Sequence, residues 1–162
     1  LKMSKLTKLQ EMIAKLHAEN DQDSERDWLL QHLQANNTPE MMAQAKKLTH
    51  SELAILTQLA QAGEAIPFKQ LQAQSELSQG MLSRYIQRLA KNRLVEKFHT
   101  PENQKAVVLR ITARGQEIGE LHQQLNRRKR QNYEADLANY SEDEVETIAQ
   151  FIEKMREATE NM

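Results

Sequence analysis

The stretch from Leu48 to Gly115 reads LTHSELAILTQLAQAGEAIPFKQLQAQSELSQGMLSRYIQRLAKNRLVEKFHTPENQKAVVLRITARG. It begins with Thr49 and Glu52, a T-x-x-E capping box, and continues with apolar residues on more than one side of a helix that stops at Gly63. Pro67 opens a second short helical pattern, and Ser78 is a favourable N-cap for a third. Two helices joined by about three or four residues predict a helix-turn-helix.

Two strand patterns follow the third helical pattern. The segments LVEKFH (94–99) and AVVLRI (106–111) are rich in apolar residues that favour strands, and TPENQK (100–105) between them is polar. We expect a β-hairpin with a six-residue turn. Helices followed by such a hairpin have the layout of a winged helix-turn-helix.

Helical patterns extend on both sides of this stretch. Met3, Leu6, Leu9, Ile13 and Leu16 form a narrow stripe over residues 3–20, a second helix begins near Ser24, and a third is capped by Thr38. A long helix follows Thr112, and a capping box of Ser141 and Glu144 opens a last one. The predicted fold class is mainly α with a small β-hairpin: one domain over 1–162, with a lobe at 48–111 and helical dimerisation regions at 3–47 and 112–160.

The thin apolar stripes at both ends of the chain are typical of an interface between helices. We therefore predict dimer contacts in the first helix and in the last. The predicted interface residues are Leu6, Leu9, Ile13, Leu16, Ile148, Phe151, Ile152 and Met155.

Composition narrows the classes of function. The net charge is −1, yet residues 66–130 hold thirteen Lys and Arg against five Asp and Glu, a local net charge of +8 that suits an anionic partner. Cysteine is absent, which excludes disulfides and thiol switches. Apolar runs reach only four residues, and the start of the chain has no signal-peptide pattern, so we expect a soluble, cytoplasmic protein without membrane contact.

The third helical pattern, Ser78 to Lys91, has two chemically different faces. Leu82, Ile86 and Leu89 share the arc that must be buried, whereas the opposite arc holds arginine, glutamine and serine, which suit base edges and phosphates. Solvated surface helices also have polar faces, so it is the surrounding motif and the local charge that favour DNA. The predicted DNA-binding residues, two of them wing lysines, are Ser78, Gln79, Ser83, Arg84, Gln87, Arg88, Lys97 and Lys105.

The segments LTHSELAIL, LSQGMLSRYIQRLAKNRLVEKF and LRITARG resemble the MarR family of bacterial transcriptional regulators over roughly residues 48–120. The resemblance implies a homodimer, major-groove contacts from Gln79, Ser83, Arg84 and Gln87, and phosphate contacts from Ser78 and Arg88. It also implies a small effector, often an aromatic anion, between the DNA-binding lobe and the dimer helices. Family wings commonly carry Asp-x-Arg, whereas this turn has Asn103-Gln104-Lys105, so insertion into the minor groove has less support here.

Catalytic and metal-binding patterns have little support. No Asp occurs between Asp27 and Asp136, and the four glycines form no phosphate-binding loop, so an enzyme is not expected. The histidines form no H-x-x-x-H or H-x-H pair; a metal site would need ligands from distant segments, and each histidine is expected at the surface or an interface. We predict no metal and no cofactor other than the effector.

The sequence thus predicts a homodimeric transcriptional regulator, a ligand-responsive repressor that binds a pseudo-palindromic operator in double-stranded DNA. Two alternatives stay open. The winged helix could bind an acidic protein instead of DNA, or the effector could be a metal ion.

Overall fold

The computed structural model describes residues 4–19, 22–33 and 38–162, except for the side chains of residues 17–19 and 22–24. Met3 and Asn20, the predicted ends of the first helix, lie outside the described residues. The elements are α1 (Lys5–Glu19), α2 (Gln22–His32), α3 (Pro39–Lys46), α4 (His50–Ala62), β1 (Ile66–Pro67), α5 (Phe68–Ala73), α6 (Gln79–Lys91), β2 (Val95–Thr100), β3 (Asn103–Ile111), α7 (Ala113–Leu137) and α8 (Glu142–Glu160).

The helix starts follow the predicted caps. Thr38 accepts a hydrogen bond from the backbone N–H of Met41, and Ser78 accepts one from Met81. Both predicted capping boxes are present, Thr49 with Glu52 and Ser141 with Glu144. Local side-chain chemistry therefore sets the beginnings of α3, α4, α6 and α8.

The predicted wing is confirmed as an antiparallel hairpin, but its turn is shorter than expected. β2 continues to Thr100 and β3 already begins at Asn103, so only Pro101 and Glu102 connect them. The polar residues Asn103 to Lys105, which composition places in the turn, instead extend the ladder beyond the apolar segment. An irregularity in register between Phe98 and Thr100 accompanies this extension.

The sheet also contains a strand that the sequence patterns did not predict. Ile66 and Pro67 pair with Leu109 and Val108, which gives the strand order β1-β3-β2. A two-residue strand is too short for apolar alternation to reveal it. Its pairing ties the start of α5 to the wing strand β3.

The core lies where α4, α5, α6 and the sheet meet. Leu56, Leu71, Leu82, Leu89 and Leu109 have no exposed surface. Residues of α2, α3 and α7 belong to the same apolar cluster, among them Leu29, Met41 and Ile118. The core therefore fixes α6 from its apolar side and leaves its polar side exposed.

The helix α7 approaches α4 closely at Gly119. A Cβ added there would lie 2.6 Å from the carbonyl oxygen of Leu56 and 2.9 Å from Cβ of Ala60. Glycine is required at this position because a methyl group would occupy the space of the α4 backbone.

The chain forms two compact units, Leu1–Leu125 and Asn126–Met162. The first contains α1 to α6, the sheet and the first part of α7; the second contains the rest of α7 and α8. Among the described residues, no helix is both long enough and apolar enough to cross a membrane.

Candidate nucleic-acid interface

The helix α6 separates a buried face from a polar one, as predicted. Leu82, Ile86 and Leu89 are buried, and Tyr85 is half-buried beside them. The predicted contact residues on the other face are all exposed: Gln79, Ser83, Arg84, Gln87 and Arg88. A Cβ added at Gly80 would meet no atom within 4 Å, so the exposed face has no bulk near the start of the helix.

A groove of about 660 Å³ lies between α6, the start of α5 and the wing. It brings together four of the predicted residues, namely Gln79 and Ser83 from α6 with Lys97 and Lys105 from the wing. Three polar residues that were not among the predicted DNA-binding residues also line it: Lys69, Gln72 and Asn103. The two lysines of the wing and Lys69 give the groove three cationic side chains.

The sequence contains only partial clues to these three residues. Lys69 and Gln72 belong to the short helix α5, whose polar face becomes significant only once β1 fixes this helix beside the wing. Asn103 shapes the wing tip, because its Oδ1 accepts hydrogen bonds from the backbone N–H groups of Lys105, at 3.1 Å, and Ala106, at 3.3 Å. Asparagine is a common residue in such side-chain-to-backbone turns.

Arg88 is held by a buried carboxylate. Its Nη2 donates to Oε1 of Glu52 at 2.6 Å, and the side chain of Glu52 is only 2% exposed whereas that of Arg88 is 48% exposed. The guanidinium also lies 5.7 Å from the centre of the Tyr85 ring. Phosphate contact by Arg88 stays a prediction, and the structure adds a second role: the pair ties α6 to the first turn of α4.

The predicted dimer residues lie on exposed apolar surface within each unit. In α1, Leu6 is 61% exposed, Leu9 43% and Leu16 51%, and Ile13 is half-buried. In α8, Ile148, Phe151, Ile152 and Met155 are all exposed, between 39% and 60%. Large side chains at helical spacing that stay uncovered in one chain are typical of surface that another chain covers.

A cluster of ligand-type side chains lies at the junction of α2, α4 and α7. Oε2 of Glu25 is 2.9 Å from Nδ1 of His50 and 3.7 Å from Nε2 of His122. Glu25 is 4% and His122 2% exposed. His122 is thus buried inside the first unit, contrary to the expectation of a surface or interface histidine.

The comparisons with known proteins agree with this geometry. Residues 48–107 match the family model described as MarR family. The chain is 24% identical over 84 residues to the HTH-type transcriptional regulator PchR of Bacillus subtilis (strain 168), a match of 52% of this chain and 50% of that protein. The chain therefore matches about half the length of this curated relative.

Solved structures resemble the whole chain. The adhesin competence repressor AdcR of Streptococcus pyogenes is similar with a TM-score of 0.68 and 19% identity over 98% of this chain and 99% of that one. A cysteine-to-serine mutant of ZitR from Lactococcus lactis is similar with a TM-score of 0.68 and 16% identity over the same shares. Identities this low support the fold alone. They show a winged helix-turn-helix fold for this chain, and within it residues 48–107 are similar to the MarR family.

Proposed function

We propose that the protein is a homodimeric, sequence-specific DNA-binding regulator of transcription, and more narrowly a repressor. The observation that carries this proposal is the groove in which Gln79 and Ser83 of α6 lie beside Lys97 and Lys105 of the wing. An exposed α6 supplies hydrogen-bonding groups for base edges in the major groove, and the lysines supply charge for the phosphates. The family match supports a regulator rather than an enzyme.

The homodimer is supported by the exposed apolar residues of α1 and α8. A second copy would cover them, and the two-fold axis would present one α6 to each half of a pseudo-palindromic operator. Half-sites are then expected about one turn of B-DNA apart. Since the operator would lie on bacterial DNA, the proposal also assigns the protein to the cytoplasm.

Control by an effector is the third part of the proposal. Family resemblance supports a small aromatic or anionic molecule as the ligand. One concave site of about 370 Å³ lies where the end of α4, the end of β3 and the start of α7 meet, and it contains Arg110 and Gln116. Glu64 also lines the site, so Arg110 is the one residue, among those described there, that could pair with an anionic group. A ligand that favours one dimer geometry would shift the population that binds DNA.

Enrichment of duplexes from a random pool tests the proposal whatever the operator sequence is. We expect the protein to select a pseudo-palindromic sequence, and its affinity in fluorescence anisotropy to fall linearly in log K against log salt. Arg84→Ala should weaken binding to the selected duplex. The matched control is Arg114→Ala, which removes another exposed arginine, at the start of α7.

A protein-interaction module would behave differently. No selection from the pool and no duplex binding at low salt, in a protein that is folded by circular dichroism, would contradict the proposed function. Binding to an acidic polypeptide that duplex DNA does not displace would then favour the interaction module.

A further inference from the structure

We infer that Glu25, His50 and His122 form a binding site for a divalent transition-metal ion of the zinc type. The three residues come from sequence positions far apart and from three helices, α2, α4 and α7. Their ligand atoms, one carboxylate oxygen and two imidazole nitrogens, all lie within 4.8 Å of one another. No motif in the sequence joins them; the fold alone brings them together.

The protonation of His122 follows from its hydrogen bonds. The Thr57 hydroxyl donates to the carbonyl oxygen of Leu53 at 2.9 Å, so this hydroxyl must accept at its contact of 2.7 Å with Nδ1 of His122. Nδ1 therefore carries the ring proton, and in the neutral ring Nε2 presents a lone pair. A histidine ligand that donates its other N–H to an oxygen is the usual arrangement in metal sites, because it fixes the tautomer and the ring orientation.

Nε2 of His122 has no hydrogen-bond partner among the described residues, although the His122 side chain is 98% buried. It faces Oε2 of Glu25 at 3.7 Å, an oxygen that is itself an acceptor. Two acceptors that face each other in a buried site repel unless a cation or a proton lies between them. A metal ion meets this requirement and binds both atoms at once.

The third ligand completes a site that is open to solvent on one side. His50 places Nδ1 2.9 Å from the same oxygen of Glu25, and its side chain is 61% exposed. Three protein ligands with an open fourth position leave room for water on a tetrahedral ion. Two imidazoles with one carboxylate favour Zn²⁺ and its neighbours over Ca²⁺ or Mg²⁺, which prefer oxygen ligands only.

Binding should also draw the three helices together. Ligands of a tetrahedral zinc ion lie about 3.3 Å apart, given zinc–ligand bonds of about 2.0–2.1 Å. The widest spacing in the cluster is larger than that. His50 is the first residue of α4, two residues before the Glu52 that holds Arg88 of α6. The ion is thus a candidate effector of the regulator, a consequence that rests on the proposed function.

Metal binding by the DNA-free protein tests the site independently of the proposed function. In competition with a chromophoric chelator, we expect the full chain to bind one Zn²⁺ per subunit. When Co²⁺ replaces Zn²⁺, we expect the visible absorption of a tetrahedral site with nitrogen and oxygen ligands. His50→Ala, whose side chain is exposed and whose loss should leave the fold intact, is expected to weaken Zn²⁺ binding at least tenfold. Glu25→Gln should do the same.

Two further variants separate a metal site from an unspecific effect of histidine. Thr57→Val removes the acceptor for Nδ1 of His122 and is expected to weaken binding by about 10–100-fold, as the loss of the hydrogen bond that orients a ligating histidine does. The control His99→Ala removes an exposed wing histidine and should bind Zn²⁺ like the wild type. Absence of Zn²⁺ binding by the wild type, or equal binding by wild type and His50→Ala, would overturn the inference. A proton between Nε2 of His122 and Oε2 of Glu25 would then account for their buried contact.

Discussion

At the scale of single residues, the Glu52 carboxylate joins two helices. It accepts the backbone N–H and the hydroxyl of Thr49 as the cap of α4, at 3.3 and 3.0 Å, and it also accepts the Arg88 guanidinium of α6. A buried carboxylate is stable only when its oxygens have such donors. The same carboxylate that caps α4 therefore also orients α6, the helix that carries the proposed DNA-binding side chains.

Arg88→Ala is expected to lower the free energy of unfolding by about 1–2 kcal/mol, between the values for an exposed ion pair and for a broken buried one. The pair belongs between these limits because Arg88 is half exposed and Thr49 still donates to Glu52. Urea unfolding followed by circular dichroism measures the change. Arg84→Ala, on the same helix, is the control and should change stability by less than about 0.5 kcal/mol; an equal loss in both variants would contradict the role of the pair.

The site could be predicted from the sequence only where a local pattern, a single helix or the wing hairpin, determines it. Periodicity separated Leu82 from Ser83 and Arg84, since both faces belong to α6. Lys69 could not be chosen in this way, because its place beside the wing depends on the pairing of β1 with β3. The contact between Glu25 and His122 could not be predicted either, because it depends on the packing of α2 and α7 against α4.

At the scale of elements, the close contact of α7 with α4 depends on Gly119, which has no side chain. Gly119→Ala would place a methyl group against the Leu56 carbonyl, and we expect a loss of about 1–3 kcal/mol in the free energy of unfolding. This outweighs the gain in helix propensity, about 1 kcal/mol at most.

Gly80→Ala is the matched control in thermal and urea unfolding. The position is also helical but has open space around it, so the same change should leave stability equal or slightly higher. Equal stability of Gly119→Ala and the wild type would show that the two helices do not approach as closely as described.

The capping box of α8 predicts a pH dependence. The backbone N–H of Ser141 and, to a smaller extent, its hydroxyl lower the pKa of Glu144 from its ordinary value of 4.5. A lowered folded-state pKa means that the carboxylate stabilises α8 above the unfolded-state pKa and that this contribution disappears as pH falls through the folded-state pKa.

An NMR titration of the Glu144 side chain measures this pKa directly. In Ser141→Ala it should rise but stay below its ordinary value, because the backbone N–H at residue 141 remains. An unchanged pKa in this variant would mean that the hydroxyl has no part in the cap. The helix signals of α8 should weaken at acidic pH in the wild type and at a higher pH in the variant.

The elements show which parts of the fold local patterns determine. The caps at Thr38, Thr49, Ser78 and Ser141 were predictable because each depends on residues within one turn. The ends of the wing strands were not, since Asn103 to Lys105 are polar and join β3 through pairing with β2. Tertiary pairing extended the strands past the residues whose composition favours them.

At the scale of the whole molecule, the exposed apolar residues predict the oligomeric state. Ile152→Glu places a charge among Ile148, Phe151 and Met155 of α8 and should convert a dimer into a monomer in sedimentation or light-scattering measurements. Gln150→Glu adds the same charge on the opposite face of α8 and should leave the dimer intact. A wild type that is monomeric at micromolar concentration, or an Ile152→Glu variant that stays dimeric, would contradict the predicted interface.

The most direct test of the central claim is the affinity of the Arg84→Ala, Gln87→Ala double variant for the duplex that the wild type selects, measured by fluorescence anisotropy beside a scrambled duplex. If the exposed face of α6 contacts base edges, the double variant should lose at least about tenfold in affinity for the selected duplex. It should also lose most of its preference for that duplex over the scrambled one, because a good base contact contributes about 1–3 kcal/mol of discrimination. Arg114→Ala should retain both. Unchanged affinity and unchanged preference in a folded double variant would show that α6 is not the surface that recognises DNA.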